Sequence, residues 1–271
     1  MSDIAIDRPS MPFDLGRRVM SALGYSYPVF VLLIVWEAIA YSGAVSPLLW
    51  PTLEKVAYEL WQFAVSGDMW FHGSITLQRA LTGFVAAIVV GVIIGTALAR
   101  VRIANRLIEP IFIFGYPIPK ISLYPVFISI FGFGDESKIV LVFLECLYPI
   151  TIQTMAGMRS PERVLVWAAQ NAGASNSRMF WRVLVPSAAP SIFAGIRIAL
   201  PVALIVTVIT ELIGESRGLG YVVSFSSASF EPARAMAAFA VIAAIGFTFD
   251  RTLIFLRRRL IYWQKESVGF R

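Results

Sequence analysis

Six ionisable residues, Glu37, Lys120, Glu145, Arg197, Glu211 and Asp250, stand inside otherwise apolar stretches of this 271-residue chain. A charge at membrane depth is expensive unless it faces protein or water, so each is a candidate for function by default. Lys120 lies among Pro117, Pro119 and Pro125, and proline-broken membrane segments often line a pathway. An ammonium there could meet an anionic solute; a structural pair with Glu145 is the equal alternative. Arg197 and Glu211 are 14 residues apart, close to four helical turns, so they share a helix face about 21 Å apart. They too are candidates for a substrate pathway, with snorkelling to either surface as the plainer reading. Glu37 and Asp250 read as pairing or near-interface residues. A single cysteine, Cys146, and a single histidine, His72, exclude an internal disulfide and a Cys-rich metal site. His72 reads as a loop residue, and no metal ligands are expected.

Elements that hold these residues must be membrane helices. Apolar residues make up 58% of the chain and charged ones 15%, with a mean hydropathy of +0.73, against roughly 45–50% and about 25% in soluble domains. A span needs roughly 20 apolar residues. The clearest runs from Ala80 to Ala99 between Arg79 and Arg100, and five more are expected at about 26–45, 109–131, 138–157, 192–213 and 235–256. The first of these is read as an uncleaved span because it is too long for a signal peptide. The expected fold is therefore all-α with six transmembrane helices: a cytoplasmic arm over 1–25, a membrane domain over 26–257 with its core from about 74, and a cytoplasmic tail over 258–271. With six spans both ends share a side, and the Lys/Arg residues of the loops and ends divide 15 to 5 in favour of that side. By the positive-inside rule both termini are cytoplasmic. The net charge of +6 thus has a topological origin and calls for no nucleic acid.

In the outer connection 46–78, Leu53, Val56, Ala57, Leu60, Trp61 and Ala64 recur at helical spacing behind a Thr52 cap. This helix either lies in the membrane interface or packs on the bundle. The inner loop 157–190 is longer and more patterned. Ser160, Pro161 and Glu162 read as a helix start, Gly173 as its left-handed end and Ser175 as the cap of a second short helix through Val183, which Pro186 and Pro190 stop. Helix, glycine turn and helix make a compact knob.

At this point the sequence resembles a known family. Trp167-Ala168-Ala169-Gln170-Asn171-Ala172-Gly173, nine residues, then Val183-Leu184-Val185-Pro186 is similar to the EAA loop of the permease subunits of type I ABC importers. Ala194-Gly195-Ile196-Arg197, Glu211-Leu212-Ile213 and Arg217-Gly218-Leu219-Gly220 are similar to the nitrate/sulfonate/taurine/bicarbonate branch. Upstream, Ser74 to Phe84 and the Tyr116 to Lys120 stretch leading to Phe131-Gly132-Phe133-Gly134 agree. One departure stands out: Trp167 occupies the motif's acidic position, so a carboxylate grip on the ATPase there does not carry over.

The resemblance implies a permease that offers its knob, the coupling helix, to a cytoplasmic ATPase, through Trp167, Ala168, Ala169, Ala172 and Gly173, with Val183 and Pro186 anchoring the second helix. It implies two ATPase subunits carrying ATP and Mg, a second permease copy forming a homodimer, a substrate-binding protein, and a bacterial inner membrane. Arg217, Gly218 and Gly220 would then be an outer gate or docking turn, an ordinary glycine-rich loop being the alternative. None of the four lysines stands in a G-x-x-x-x-G-K-[ST] loop, so the chain itself binds no nucleotide and is no enzyme. The competing reading is a stand-alone ion-coupled transporter or channel, which has no need of the knob.

Overall fold

A computed structural model describes the backbone of residues 15–263 and the side chains from residue 27 onward. Most of the expected arm, and the tail beyond residue 263, lie outside the described residues. Eleven helices follow in order among the described residues. α1 (Leu15–Tyr41) and the short α2 (Leu53–Val65) precede the 33-residue α3 (Asp68–Arg100). α4 (Arg102–Gly115) is joined through a tight 3-10 turn at Lys120–Leu123 to α5 (Tyr124–Phe131), and α6 (Asp135–Arg159) returns through the bundle. α7 (Arg163–Asn171) and α8 (Asn176–Met179) form a hairpin; α9 (Val185–Glu211), α10 (Leu219–Ala228) and α11 (Pro232–Leu260) complete the chain.

Among the described residues, α3, α6, the α8–α9 run and α11 are each long and apolar enough to cross a bilayer. α4 and the Lys120–Phe131 segment pass that test only as a pair, and they meet at 91°. The span expected over 109–131 is thus broken at its prolines, as their placement around Lys120 suggests. Gly115 ends α4, and Pro117 and Pro119 contribute no backbone N–H with which to continue it.

The core is the seam of α3, α6 and α9, where Phe84, Leu98, Leu141, Ile150, Leu200 and Ala203 are buried together. α3 lies so close to α6 that a Cβ on Gly95 would sit 2.6 Å from the Thr151 carbonyl oxygen, and one on Gly91 2.9 Å from Ile150. Small residues four apart are the membrane device for bringing two helix backbones together. A second cluster joins Phe63 of α2 to Leu219, Val222 and Val223 of α10 and Ala238 of α11. Thr52 caps α2 as expected, its hydroxyl accepting from the Lys55 N–H. The helix packs on the bundle through Phe63 and turns Trp61 outward.

The loop over 157–190 differs from expectation in two places. Ser160 closes α6, and α7 starts behind Glu162. Pro186 and Pro190 do not stop the second helix: from Asn176 the chain runs 36 residues to Glu211. Pro186 stands in the first turn of α9, directly after the π-type turn Phe180–Leu184. That wider turn absorbs the ring and the missing N–H within a continuous helix.

Candidate functional site

Two sites lie at opposite ends of the bundle. At the α7 end, the hairpin is closed by backbone chemistry. Gly173 adopts φ 71°; its N–H donates to Gln170 O at 2.9 Å and the Ala174 N–H donates to Ala169 O at 3.0 Å. A helix end closed in this way requires the left-handed conformation that glycine adopts without strain. Ser175 caps α8 by accepting from the Arg178 N–H. No residue of α7 is buried, and Val164 and Trp167 are 70% and 59% exposed. Ala168 and Ala172 are exposed, Ala169 half-buried. Val183 and Pro186 line a shallow groove of about 420 Å³ beneath the hairpin with Leu165, Arg182 and Trp263. The knob is thus fixed in shape while its apolar and small residues stay largely uncovered by the rest of the chain.

The other end holds a charge cluster that sequence reasoning missed. Arg79, 1% exposed, is placed by α3 between α6 and α9. Its Nε donates to Asp135 Oδ1 at 2.7 Å, Nη1 to Glu211 Oε1 at 2.9 Å and to the Arg217 carbonyl at 3.1 Å, and Nη2 to Glu215 Oε2 at 3.3 Å. Glu211, 0% exposed, also accepts from Thr76 Oγ1 at 2.9 Å and from the Gly220 N–H at 3.0 Å. Lys138 uses all three ammonium protons, donating to the Phe133 and Gly134 carbonyls and to Glu215 Oε1 at 2.7 Å. Burial works to raise the Glu215 carboxyl, but Lys138 and Arg79 outweigh it and hold the group below the ordinary carboxylate range.

This cluster also fixes the glycine turn after α9. Gly218 has φ 109°, and a Cβ there would fall 2.3 Å from the Glu211 carboxyl carbon. Its N–H donates to His72 Nδ1 at 3.1 Å, and the Leu219 N–H donates to Thr76 Oγ1 at 2.8 Å. His72 is therefore a helical residue holding a turn, and not a loop residue. The turn is clamped between Gly218 and Gly220, while Arg217 is exposed above it.

The other candidates part company. Glu211 belongs to the cluster, far from Arg197, which pairs with Asp250 at 3.2 Å on the exposed seam of α9 and α11. Lys120 and Glu145 are adjacent but do not form an ion pair. Lys120 Nζ donates to Tyr116 O at 3.1 Å and lies 3.8 Å from the Tyr148 ring centroid, whereas Glu145 Oε1 accepts the Ile121 N–H at 3.0 Å. Glu145 thereby caps the turn that the prolines create. Glu37 likewise caps, accepting from the Leu53 N–H at the start of α2. Among the described residues no group of three acidic, His or Cys side chains could hold a metal ion.

The missed residues carry a signal. In the sequence Arg79, Asp135 and Lys138 only mark where spans begin, yet opposite charges falling at the same depth on neighbouring spans are natural partners.

The fold and these two sites define a multi-pass helical membrane protein with a rigid knob at one end and an ion-clamped turn at the other. Residues 87–261 match the family model for the binding-protein-dependent transport system inner membrane component. The chain belongs to that family and is the permease subunit of an ABC importer. It is 33% identical over 257 residues to the taurine transport system permease protein TauC of Escherichia coli (strain K12), covering 93% of this chain and 92% of that one. It is 28% identical to the putative aliphatic sulfonates transport permease protein SsuC of Bacillus subtilis (strain 168), covering 88% and 87%. In fold it is similar to the MetNI methionine ABC transporter in an inward-facing conformation, with a TM-score of 0.56 at 17% identity, over 78% of this chain and 98% of that chain.

Proposed function

We propose that this permease, in a bacterial inner membrane, forms half of the translocation pathway for a small organic anion of the sulfonate class. A second copy completes the pathway, a substrate-binding protein delivers the solute, and two cytoplasmic ATPases carrying ATP and Mg drive it, one on each α7–α8 knob. The chain crosses six times, α1 being the first span and the broken α4–α5 unit the third, with both termini cytoplasmic. The observation that carries the reading is the knob: a hairpin held rigid by Gly173 with an unburied face is built to be gripped from outside the chain. The anion is supported by the names of the two relatives and by Lys120, whose ammonium sits at the proline break with no carboxylate among the described residues paired to it.

The test is co-purification. Valine at position 173 would have to take φ 71°, strongly disfavoured for a β-branched residue, so Gly173→Val should lose ATPase subunits or uncouple hydrolysis from uptake. Full coupled turnover by that variant would remove the knob from the mechanism. Trp167→Glu, which replaces an exposed residue without changing the turn, should be the milder change.

A further inference from the structure

The seam between α9 and α11 is open along most of its length. After its first turns α11 buries no residue: only Ala235, Ala237 and Ala238 are enclosed. Two contiguous hollows run along the seam and share Arg197. The first, about 450 Å³, is lined by Leu200, Pro201, Leu204, Ile205, Ile242 and Gly246 on the apolar side and by the Arg197–Asp250 pair at its edge. The second, about 400 Å³, continues past Phe193 and Leu253 to Arg257. Residues 242, 246, 250, 253 and 257 follow one face of α11, and the furrow they mark is about 22 Å long at 1.5 Å per residue. That exceeds half of the roughly 30 Å hydrocarbon core, the depth of one leaflet.

The furrow has two chemically different ends. The apolar end is open because residue 246 is glycine: a Cβ there would meet nothing closer than Leu204 Cδ1, at 3.6 Å. Glycine in a helix interior costs about 1 kcal/mol relative to alanine, and no packed backbone at this position requires it. The other end is cationic. No carboxylate among the described residues pairs with Arg257, and Arg197 gives Asp250 a single Nε contact while its side chain stays 53% exposed. An apolar helix face laid in this furrow would strand Arg257 without a counter-charge. A phosphodiester brings the missing charge, and its acyl chain matches the apolar end.

We propose that the furrow between α9 and α11 is a binding site for one anionic phospholipid, its phosphate held by Arg257 and the outer edge of Arg197 and one acyl chain lying along Leu204, Ile205, Ile242 and Gly246. The site belongs to the leaflet that holds the C-terminal end of α11, the inner one in the orientation proposed above. Asp250 is its restraint, keeping Arg197 in place and opposing the phosphate.

The test uses the intact transporter complex, exchanged into phosphatidylcholine nanodiscs with and without phosphatidylglycerol, released in the mass spectrometer and read for retained lipid. Retained lipid is read independently of transport, so its outcome is distinct from the fate of the proposed solute. Wild type should retain phosphatidylglycerol in preference to phosphatidylcholine. Arg257→Gln should lower that retention about fivefold, the contribution of one basic residue beside an anionic lipid surface, and Arg257→Lys should restore most of it. Asp250→Asn should raise retention, the opposite sign from a structural lesion, and Gly246→Leu should abolish it with both arginines intact. Equal retention of the two lipids, or an Arg257→Gln complex that holds phosphatidylglycerol like wild type, overturns the proposal. So does a disulfide between two copies carrying Gly246→Cys, which would assign the furrow to the subunit interface.

Discussion

Replacing Arg79 by glutamine tests the charge cluster most directly. The guanidinium reaches three carboxylates, and Glu211, its enclosed partner at 2.9 Å, has no solvent to fall back on. Removing one member of a buried ion pair costs about 3–5 kcal/mol, because the remaining charge stays buried and uncompensated. With a melting shift of about 2–4 °C per kcal/mol for a chain of this size, Arg79→Gln should melt about 10 °C below wild type. Glu211→Gln should cost less, since Arg79 keeps Asp135 and Glu215 and the amide oxygen can still accept from it. The double variant should then be more stable than Arg79→Gln alone, because it leaves no uncompensated carboxylate buried at position 211. The chain provides its own reporter: Cys146, its only thiol, is 0% exposed on α6, so a thiol-reactive fluorogenic dye reads unfolding directly. Melting of Arg79→Gln within a degree or two of wild type, or a double variant no better than the arginine variant, would refute the cluster as a structural clamp.

Three further outcomes are expected. Gly95→Val should drive α3 off α6 and lower the melting temperature through overpacking of about 1–3 kcal/mol, whereas Gly246→Ala, whose nearest neighbour is 3.6 Å away, should raise it by a few degrees through the roughly 1 kcal/mol of helix propensity; the two melting curves side by side make the comparison. Lys120→Gln should slow anion uptake in proteoliposomes while costing only the Tyr148 contact, about 0.5–2 kcal/mol, and unchanged uptake by a well-expressed variant would take Lys120 out of the pathway. Because Glu215 is held below its ordinary value of 4.5 by Lys138 and Arg79, its contribution is fully present above pH 4.5 and is lost as pH falls through the lower folded value; Glu215→Gln should flatten that acid limb in a pH series of melting curves.

Hydropathy and turn chemistry make the knob and the long spans legible in the sequence. Gly173 and Ser175 can be read because each has one local reason to stand where it does, a positive φ and a cap. What escapes is set by distant residues. Arg79 and Glu211 are 132 positions apart, and a scan along the chain sees two isolated charges where the fold makes one group. Pro186 misleads for the converse reason: proline in the first turn of a helix is tolerated, and the preceding π-type turn lets the helix run on. α10 is hidden because its 10 residues, Leu219–Ala228, carry no clear apolar stripe, the helix being wrapped by α2 and α11.

The unbroken run from Asn176 to Glu211 is also a mechanical part. At 1.5 Å per residue it is a rod about 54 Å long, fastened at its Glu211 end by Arg79, Thr76 and Gly220 and carrying the hairpin on its other end. Because α9 is packed against α3 and α6 along its length, the three move as one shaft: tilting that unit about the clamp by roughly 10° would sweep the Asn176 end through about 9 Å while Glu211 barely moves, by the same helix geometry. Displacement imposed on the hairpin is therefore largest where it is applied and vanishes at the clamp.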